Sequence, residues 1–102
     1  MHMRISWGRV NPGSWSDYEK AFIEGVEAGG RPPGLVARVL CRDIDDPNTG
    51  YSVSWWESVA AMDAYETGPA VNDEILPRIQ KYFGGAFVTN RVEIVMEKRY
   101  GE

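Results

Sequence analysis

The chain has 102 residues, of which 43% are hydrophobic and 25% charged, and its formal net charge is −4 at pH 7. These values are typical of one globular domain, which we expect to span residues 1–102. The acidic balance disfavours nucleic-acid binding, because a phosphate-binding surface needs clustered basic side chains. No apolar run approaches the roughly 20 residues that span a bilayer, and the first residues lack a signal-peptide pattern. We therefore expect a cytoplasmic protein with no membrane contact.

Cysteine and histidine are both nearly absent from the sequence. Cys41 is the single cysteine, which excludes an internal disulfide and a multi-cysteine metal site. It lies within an apolar run, where we expect a buried thiol that packs as a small hydrophobe. His2 is the single histidine and lies at the end of the chain. No internal histidine is available for catalysis or for metal binding, so no metal site is predicted.

The first strand and the first helix follow from two periodic patterns. Residues 3–10 alternate in polarity and predict a half-buried strand. Ser16 and Glu19 form a capping-box pattern for the helix that follows, and Gly29 with Gly30 ends it. The helix carries one apolar stripe with spacings of three and four: Trp15, Tyr18, Phe22 and Val26. Phe22 and Trp7 are candidate ligand contacts, although the helix stripe that contains Phe22 is most simply a core-facing surface.

The middle of the chain predicts a hairpin. Residues 35–44 form the second strand, with apolar residues on both faces: Leu35, Ala37, Val39 and Cys41 on one, and Val36, Arg38, Leu40 and Arg42 on the other. Such a strand needs cover from both sides. Residues 45–50 are the connection, and residues 51–56 the antiparallel third strand. Its last residues, Trp55 and Trp56, must point to opposite faces of the sheet.

The last third of the chain predicts two helical pieces and a strand. Ser58 is the predicted N-cap of a helix that includes Tyr65. A second helical piece follows Pro69, and Pro77 should kink or split it. The last strand is predicted to be long, from residue 86 to about residue 99, with Asn90 a polar member of one face.

The order of these elements is strand, helix, strand, strand, helix, strand. This order predicts an α+β, ferredoxin-like βαββαβ fold, in which one antiparallel four-stranded sheet carries its helices on one face. The opposite face still carries apolar groups. In a domain of this size, packing two such sheets together buries them economically, so we expect a twofold homodimer.

Two short motifs resemble a known family. Residues 56–58 (Trp-Glu-Ser) and residues 61–64 (Ala-Met-Asp-Ala) resemble the strand-to-helix signature of the antibiotic biosynthesis monooxygenase domain. Met62 stands where the signature typically has leucine, and Tyr65 where it typically has histidine. The resemblance implies a dimeric α+β barrel with a pocket in each protomer between the sheet and the helices.

The same resemblance implies two kinds of chemistry. Cofactor-free members oxidise polycyclic phenols with O₂, using an asparagine, a tryptophan and polar pocket groups. Haem-degrading members use an asparagine on the first strand, a tryptophan on the second helix and a histidine iron ligand. Here Ser6 or Trp7, Tyr65 and residues 72–75 stand at those three positions, so we expect neither haem degradation nor any cofactor.

A cofactor-free oxygenase must make its substrate the electron donor, as a phenolate or enolate. Its site then needs groups that stabilise the anion and an apolar enclosure that excludes water. The catalytic candidates are Arg38, which would lower the pKa of a phenol, Tyr65, and Asn90, which would hold a carbonyl or peroxide oxygen. Trp55 and Trp56 are candidate substrate contacts through ring packing or an indole N–H.

Each candidate also has a purely structural interpretation. Arg38 can pair with an acid such as Glu93, Tyr65 can simply pack, and Asn90 can satisfy backbone groups. Two hypotheses follow. The first is a cofactor-independent monooxygenase acting on a small aromatic or quinone-like compound. The alternative is a non-catalytic dimeric barrel that binds a hydrophobic metabolite.

Overall fold

The computed structural model describes residues 1–101 and forms one four-stranded antiparallel sheet with helices on one face. Its regular elements are β1 (His2–Arg9), α1 (Trp15–Gly29), β2 (Leu35–Arg42), β3 (Thr49–Trp56), α2 (Val59–Thr67) and β4 (Val88–Glu93). A third helical segment, residues 70–82, connects α2 to β4. The strand order is β2-β3-β1-β4. This topology confirms the predicted ferredoxin-like fold.

The two long helices begin differently. Ser58 accepts a hydrogen bond from the Ala61 N–H at 3.1 Å, which confirms it as the N-cap of α2. The predicted capping box of α1 is wrong, because the helix already begins at Trp15 and its N-cap is Ser14, which makes no side-chain cap. Glu19 instead accepts a hydrogen bond from the Trp15 indole N–H at 3.0 Å. An aromatic donor has replaced the backbone donor that the pattern implied.

The third helical segment changes its winding twice. It consists of a π-helical turn (Ala70–Ile75), a short α-helical turn (Leu76–Ile79) and a 3₁₀ turn (Gln80–Tyr82). Pro77 lies at the start of the α-helical turn, where its missing N–H and its ring prevent one continuous helix. The predicted split at Pro77 is therefore confirmed. No helix within residues 1–101 is long and apolar enough to cross a membrane.

The two faces of the sheet are set by strand register and one irregularity. Trp56 is fully buried beneath the helices, whereas Trp55 points to the open face, as alternation predicts. A register shift between Leu35 and Ala37 places Leu35 opposite Trp56. Leu35 is consequently buried under the helices, while Val36 is 44% exposed on the open face. The strict alternation that we predicted is wrong for these two residues, because a β-bulge adds one unpaired residue.

The last strand is shorter than predicted. It ends at Glu93, which pairs with His2 at the very start of β1. The Ile94 N–H still donates to the Met1 carbonyl at 3.0 Å, but β1 offers no further residue. The prediction of a strand reaching residue 99 is therefore wrong for the isolated chain, because a strand needs a neighbour along its whole length.

The open face of the sheet is apolar and uncovered in a single chain. Its most exposed large residues are Val36, Val39, Tyr51, Val88 and Val92. Cys41 on the edge strand β2 is also exposed. The predicted burial of this thiol is therefore not found, because nothing in one protomer covers this face.

Candidate functional site

A cavity of about 70 Å³ lies between the sheet and the helices. Its floor includes residues with little or no side chain on two paired strands: Ser6 and Gly8 on β1, and Ser52, which lies opposite Ser6, on β3. A Cβ atom added at Gly8 would lie 3.0 Å from the ring of Phe83. The small floor residues therefore leave the space that larger residues would fill.

The walls and ceiling of the cavity are mostly apolar. They come from α1 and from the third helical segment and include Tyr18, Phe22, Val71, Ile75, Leu76 and Ile79. The Tyr18 ring packs against Phe22 and Phe83, with centroid distances of 6.1 and 5.8 Å. Burial raises the pKa of Tyr18 to about 12. The phenol consequently stays neutral at physiological pH and remains a hydrogen-bond donor.

One end of the cavity is polar and contains Arg4. Its Nε donates to a Glu66 carboxylate oxygen at 2.9 Å, and its guanidinium lies 5.7 Å from the Tyr65 ring centroid. A longer contact of 3.4 Å reaches the Ser6 hydroxyl, which itself lies 2.7 Å from the Thr89 hydroxyl. The Arg4 side chain is only 18% exposed. A half-buried cation therefore closes an otherwise apolar space.

The Tyr65 ring contacts a second arginine as well as Arg4. Its ring packs against Trp56 at 4.8 Å, and the Arg38 guanidinium lies over it at 5.5 Å. The Nε of Arg38 is buried without a hydrogen-bond partner, and no ion pair with Glu93 is found within residues 1–101. The Trp56 indole N–H already donates to the Ser54 hydroxyl at 2.8 Å. Arg38 therefore has unused donors, whereas Trp56 has none.

The structure brings together only part of the predicted site. Four of the predicted residues lie between the sheet and the helices: Arg38, Tyr65, Trp56 and Phe22. Asn90 lies opposite Ile5 and is exposed on the open face, so the sheet separates it from the cavity. The side chains of Trp7 and Trp55 also lie on the open face, although Trp7 borders the cavity along β1. Alternation along each strand makes this separation unavoidable.

Four residues that were not predicted to belong to the site also line the cavity. They are Arg4, Ser6, Ser52 and Tyr18. Arg4 and Ser6 are polar residues of the alternating strand β1. The sequence pattern did not indicate which residues they would contact. Their role depends on which strands are neighbours, because β1 lies between β3 and β4 and so runs through the middle of the sheet.

The size of the cavity limits what it holds without rearrangement. Its volume of about 70 Å³ is small; an apolar cavity of about 150 Å³ binds benzene. An aromatic ligand therefore requires a wall to move. The ceiling includes the π-helical turn, a type of irregularity that occurs frequently at functional sites.

A metal site is not apparent in the described part of the chain. Residues 1–101 contain no group of three or more potential metal-ligating His, Cys, Asp or Glu side chains. The residues that line the cavity include no histidine, cysteine or methionine. Its oxygen donors are serine and tyrosine hydroxyls, which hydrogen-bond organic ligands as neutral groups.

A ferredoxin-like fold with a cavity between sheet and helices defines the class of this protein as α+β with one layer of helices on the sheet. The profile of the antibiotic biosynthesis monooxygenase family matches residues 1–73. Because this match covers most of the sequence, the chain belongs to the antibiotic biosynthesis monooxygenase family. No curated protein matches the sequence significantly.

Solved structures with the same fold include family members. An antibiotic biosynthesis monooxygenase superposes with a TM-score of 0.78 at 20% identity, over 94% of this chain and 100% of that one. A mutant of MhuD with two manganese protoporphyrin IX bound per active site superposes with a TM-score of 0.81 at 24% identity, over 98% of this chain and 100% of that one. A conserved protein from Methanosarcina mazei superposes with a TM-score of 0.77 at 13% identity, over 90% of this chain and 91% of that one. At these identities the likeness shows a common fold.

Proposed function

We propose that this protein is a cofactor-independent monooxygenase that oxidises a small aromatic or quinone-like compound with O₂ inside the cavity. Membership of the antibiotic biosynthesis monooxygenase family supports a monooxygenase-type activity. The observation that carries the proposal is the apolar cavity ended by Arg4 and Tyr65, with Arg38 outside the lining but in contact with the tyrosine ring. A fixed positive charge beside the bound substrate favours its anion over its neutral form, and apolar surroundings strengthen that attraction.

The proposed reaction uses the substrate as the only reductant. For an anthrone, the ring CH₂ group and O₂ give a carbonyl and one water molecule, so one oxygen atom enters the product and the other leaves as water. The chain's own residues stabilise the carbanion or enolate that reacts with O₂. Arg4 and Tyr65 lie at the cavity end, and the proposed role of Tyr65 is to donate a hydrogen bond from its hydroxyl to that anion. The apolar ceiling excludes competing water.

The roles of the sequence-derived candidates differ in this proposal. Tyr65 lines the cavity and is the proposed catalytic residue, while Arg38 does not line the cavity and acts through its contact with the Tyr65 ring. Phe22 is the proposed aromatic substrate contact, since it lines the ceiling. Asn90 lies on the opposite face of the sheet and takes no part.

One structural neighbour binds manganese protoporphyrin IX, but the donor set of this cavity does not favour a haem group. The lining lacks histidine, cysteine and methionine, and burial disfavours the phenolate form of its Tyr18 as an iron ligand. Asn72 lies in the segment where the family's iron ligand stands, but its amide donates to the Glu66 and Gly68 carbonyls at 3.1 and 2.9 Å. The cofactor-free site stays a prediction.

Oxygen uptake with a panel of anthrones and hydroquinones tests the proposal. We expect protein-dependent uptake with at least one anthrone, and Tyr65→Phe should lower kcat/KM by about 10- to 100-fold, because one hydrogen bond to a charged group contributes about 1.5–3 kcal/mol. Tyr100→Phe is the matched control, since Tyr100 is 83% exposed. Absence of uptake across a broad panel would remove the proposal.

The alternative function is a non-catalytic barrel that binds a hydrophobic metabolite. The apolar ceiling supports it equally, because burial of an apolar ligand needs no acid or base. In that case Tyr65→Phe would leave every cellular phenotype unchanged while the protein stays folded.

We also propose that two protomers pack their open faces together as a homodimer. The exposed apolar residues of that face, including Val39 and Val92, support this arrangement. The dimer would cover Trp55, which is half-buried in a single chain. Sedimentation velocity should show a species of about twice the chain mass of 11.5 kDa. A single monomeric species at micromolar concentration would contradict the dimer.

A further inference from the structure

One row across the helix-covered face of the sheet contains three arginines. Arg38 on β2 and Arg4 on β1 both lie opposite Ser54 of β3, and Arg91 on β4 lies opposite Arg4. Paired residues of antiparallel strands point to the same face. The row therefore brings three positive charges under the same helix, α2.

The helix α2 supplies two acids to this row. Glu66 binds Arg4 at 2.9 Å and approaches Arg91 at 3.4 Å, and Asp63 binds Arg91. Asp63 and Glu66 are three residues apart, which places them on one side of the helix. Arg38 receives no acid in this arrangement. The row consequently keeps one uncompensated positive charge.

Other acids near Arg38 do not neutralise it. Glu27 borders the same groove as Arg38 at the edge of β2, but no ion pair joins them. The aromatic face of Tyr65 is the contact that the guanidinium does make. A partly desolvated cation gains more from an anion than from a ring, so the row is poised to accept one negative charge.

We propose that the ligand of this protein is an aromatic monoanion, either a carboxylate or an ionised phenol. Its charged group binds Arg4 at the polar end of the cavity, and Arg38, which contacts the same tyrosine ring, supplies the compensating charge. The inference rests on the proposed function in one respect, which is that an aromatic compound enters this cavity.

The expected size of the effect follows from the distances. Arg4 and Arg38 pair with the same residue, Ser54, from the two sides of β3, so two strand spacings, about 10 Å, separate their backbones. At this separation and an effective dielectric constant of about 20, the attraction of Arg38 for an anion bound to Arg4 corresponds to about a tenfold gain in affinity. Burial of both groups keeps salt from screening the attraction fully.

Benzoate and benzamide are nearly isosteric and differ by one charge, so their affinities test the inference directly. We expect benzoate to bind about tenfold more tightly than benzamide, as measured by NMR titration of the wild-type protein. Arg38→Gln should bring the ratio of the benzoate affinity to the benzamide affinity close to one, while Glu66→Gln should raise this ratio. Arg9→Gln is the charge-matched control, since Arg9 pairs with Asp46 away from the cavity. Circular dichroism checks that each variant is folded.

The possible outcomes separate this inference from the function on which it rests. If benzoate and benzamide bind equally well, the cavity accepts aromatic ligands but the monoanion inference is wrong. If neither binds, both proposals fail. If Glu27→Gln raises the ratio as much as Glu66→Gln does, Glu27 compensates Arg38 in solution, and the inference is overturned.

A second probe distinguishes the two kinds of anion. The ionised form of 4-nitrophenol is yellow, so binding to a site that prefers phenolates lowers the apparent pKa of the dye and increases its colour at constant pH. Together with the benzoate titration, this assay assigns the ligand to the carboxylate or to the phenol class. Failure of Arg38→Gln to reduce either signal would contradict the inference.

Discussion

Replacement of Tyr18 by phenylalanine should change how stability depends on pH in alkaline solution. Burial raises the pKa of the Tyr18 phenol from 10.0 to about 12 in the folded protein. The folded state therefore holds this proton more tightly than the unfolded state does. The resulting stabilisation is fully present below about pH 10 and is lost as pH rises through about 12.

The magnitude follows from the same two pKa values. Linkage predicts that this group alone lowers the free energy of unfolding by about 1.3 kcal/mol between about pH 9 and about pH 11. Tyr18→Phe removes the titrating group, so the wild-type protein should lose that much stability relative to the variant. Urea denaturation at each pH measures the difference.

The control for this experiment is Tyr100→Phe, because Tyr100 is largely exposed. Its stability should follow that of the wild type across the same range. If the curves for the wild type and for Tyr18→Phe run parallel from about pH 9 to about pH 11, Tyr18 is not buried as a neutral phenol in the cavity wall, and the reasoning fails.

Three further variants test packing, capping and assembly. A Cβ at Gly25 would lie 2.8 Å from the Glu74 carbonyl oxygen, so Gly25→Ala should lower the melting temperature, whereas Gly85→Ala, with open space around it, should not. Ser58→Ala removes a cap and should cost about 1 kcal/mol in urea denaturation, while Ser16→Ala should cost much less. Val39→Glu should shift a dimer towards monomer in sedimentation velocity, and an unchanged dimer would contradict the proposed interface.

The fold was largely predictable because its signals are local. Alternation and turn residues identify the strands, and Pro77 predicts the broken helical segment. Two features were not predictable for physical reasons. The bulge before Ala37 leaves no sequence pattern that alternation detects, and the end of β4 depends on how far β1 extends beside it.

The site was only half predictable because it depends on register between distant strands. Arg38, Trp56 and Tyr65 belong to motifs that can be recognised along the sequence, and the structure places them together. Arg4 became part of the site only because β1 lies beside β3, and Asn90 was excluded because it faces away from the helices. A single polar residue in an alternating strand does not reveal which residues it meets across the sheet.

The central claim is that the cavity carries out a monooxygenation without a cofactor. Mass spectrometry of the product formed from an anthrone under isotopically labelled O₂, with purified protein free of metal and flavin, tests it most directly. The account predicts one labelled oxygen atom in the new carbonyl and a rate that falls strongly in Tyr65→Phe. Product formed equally fast without the protein, or carrying oxygen from water alone, would contradict it.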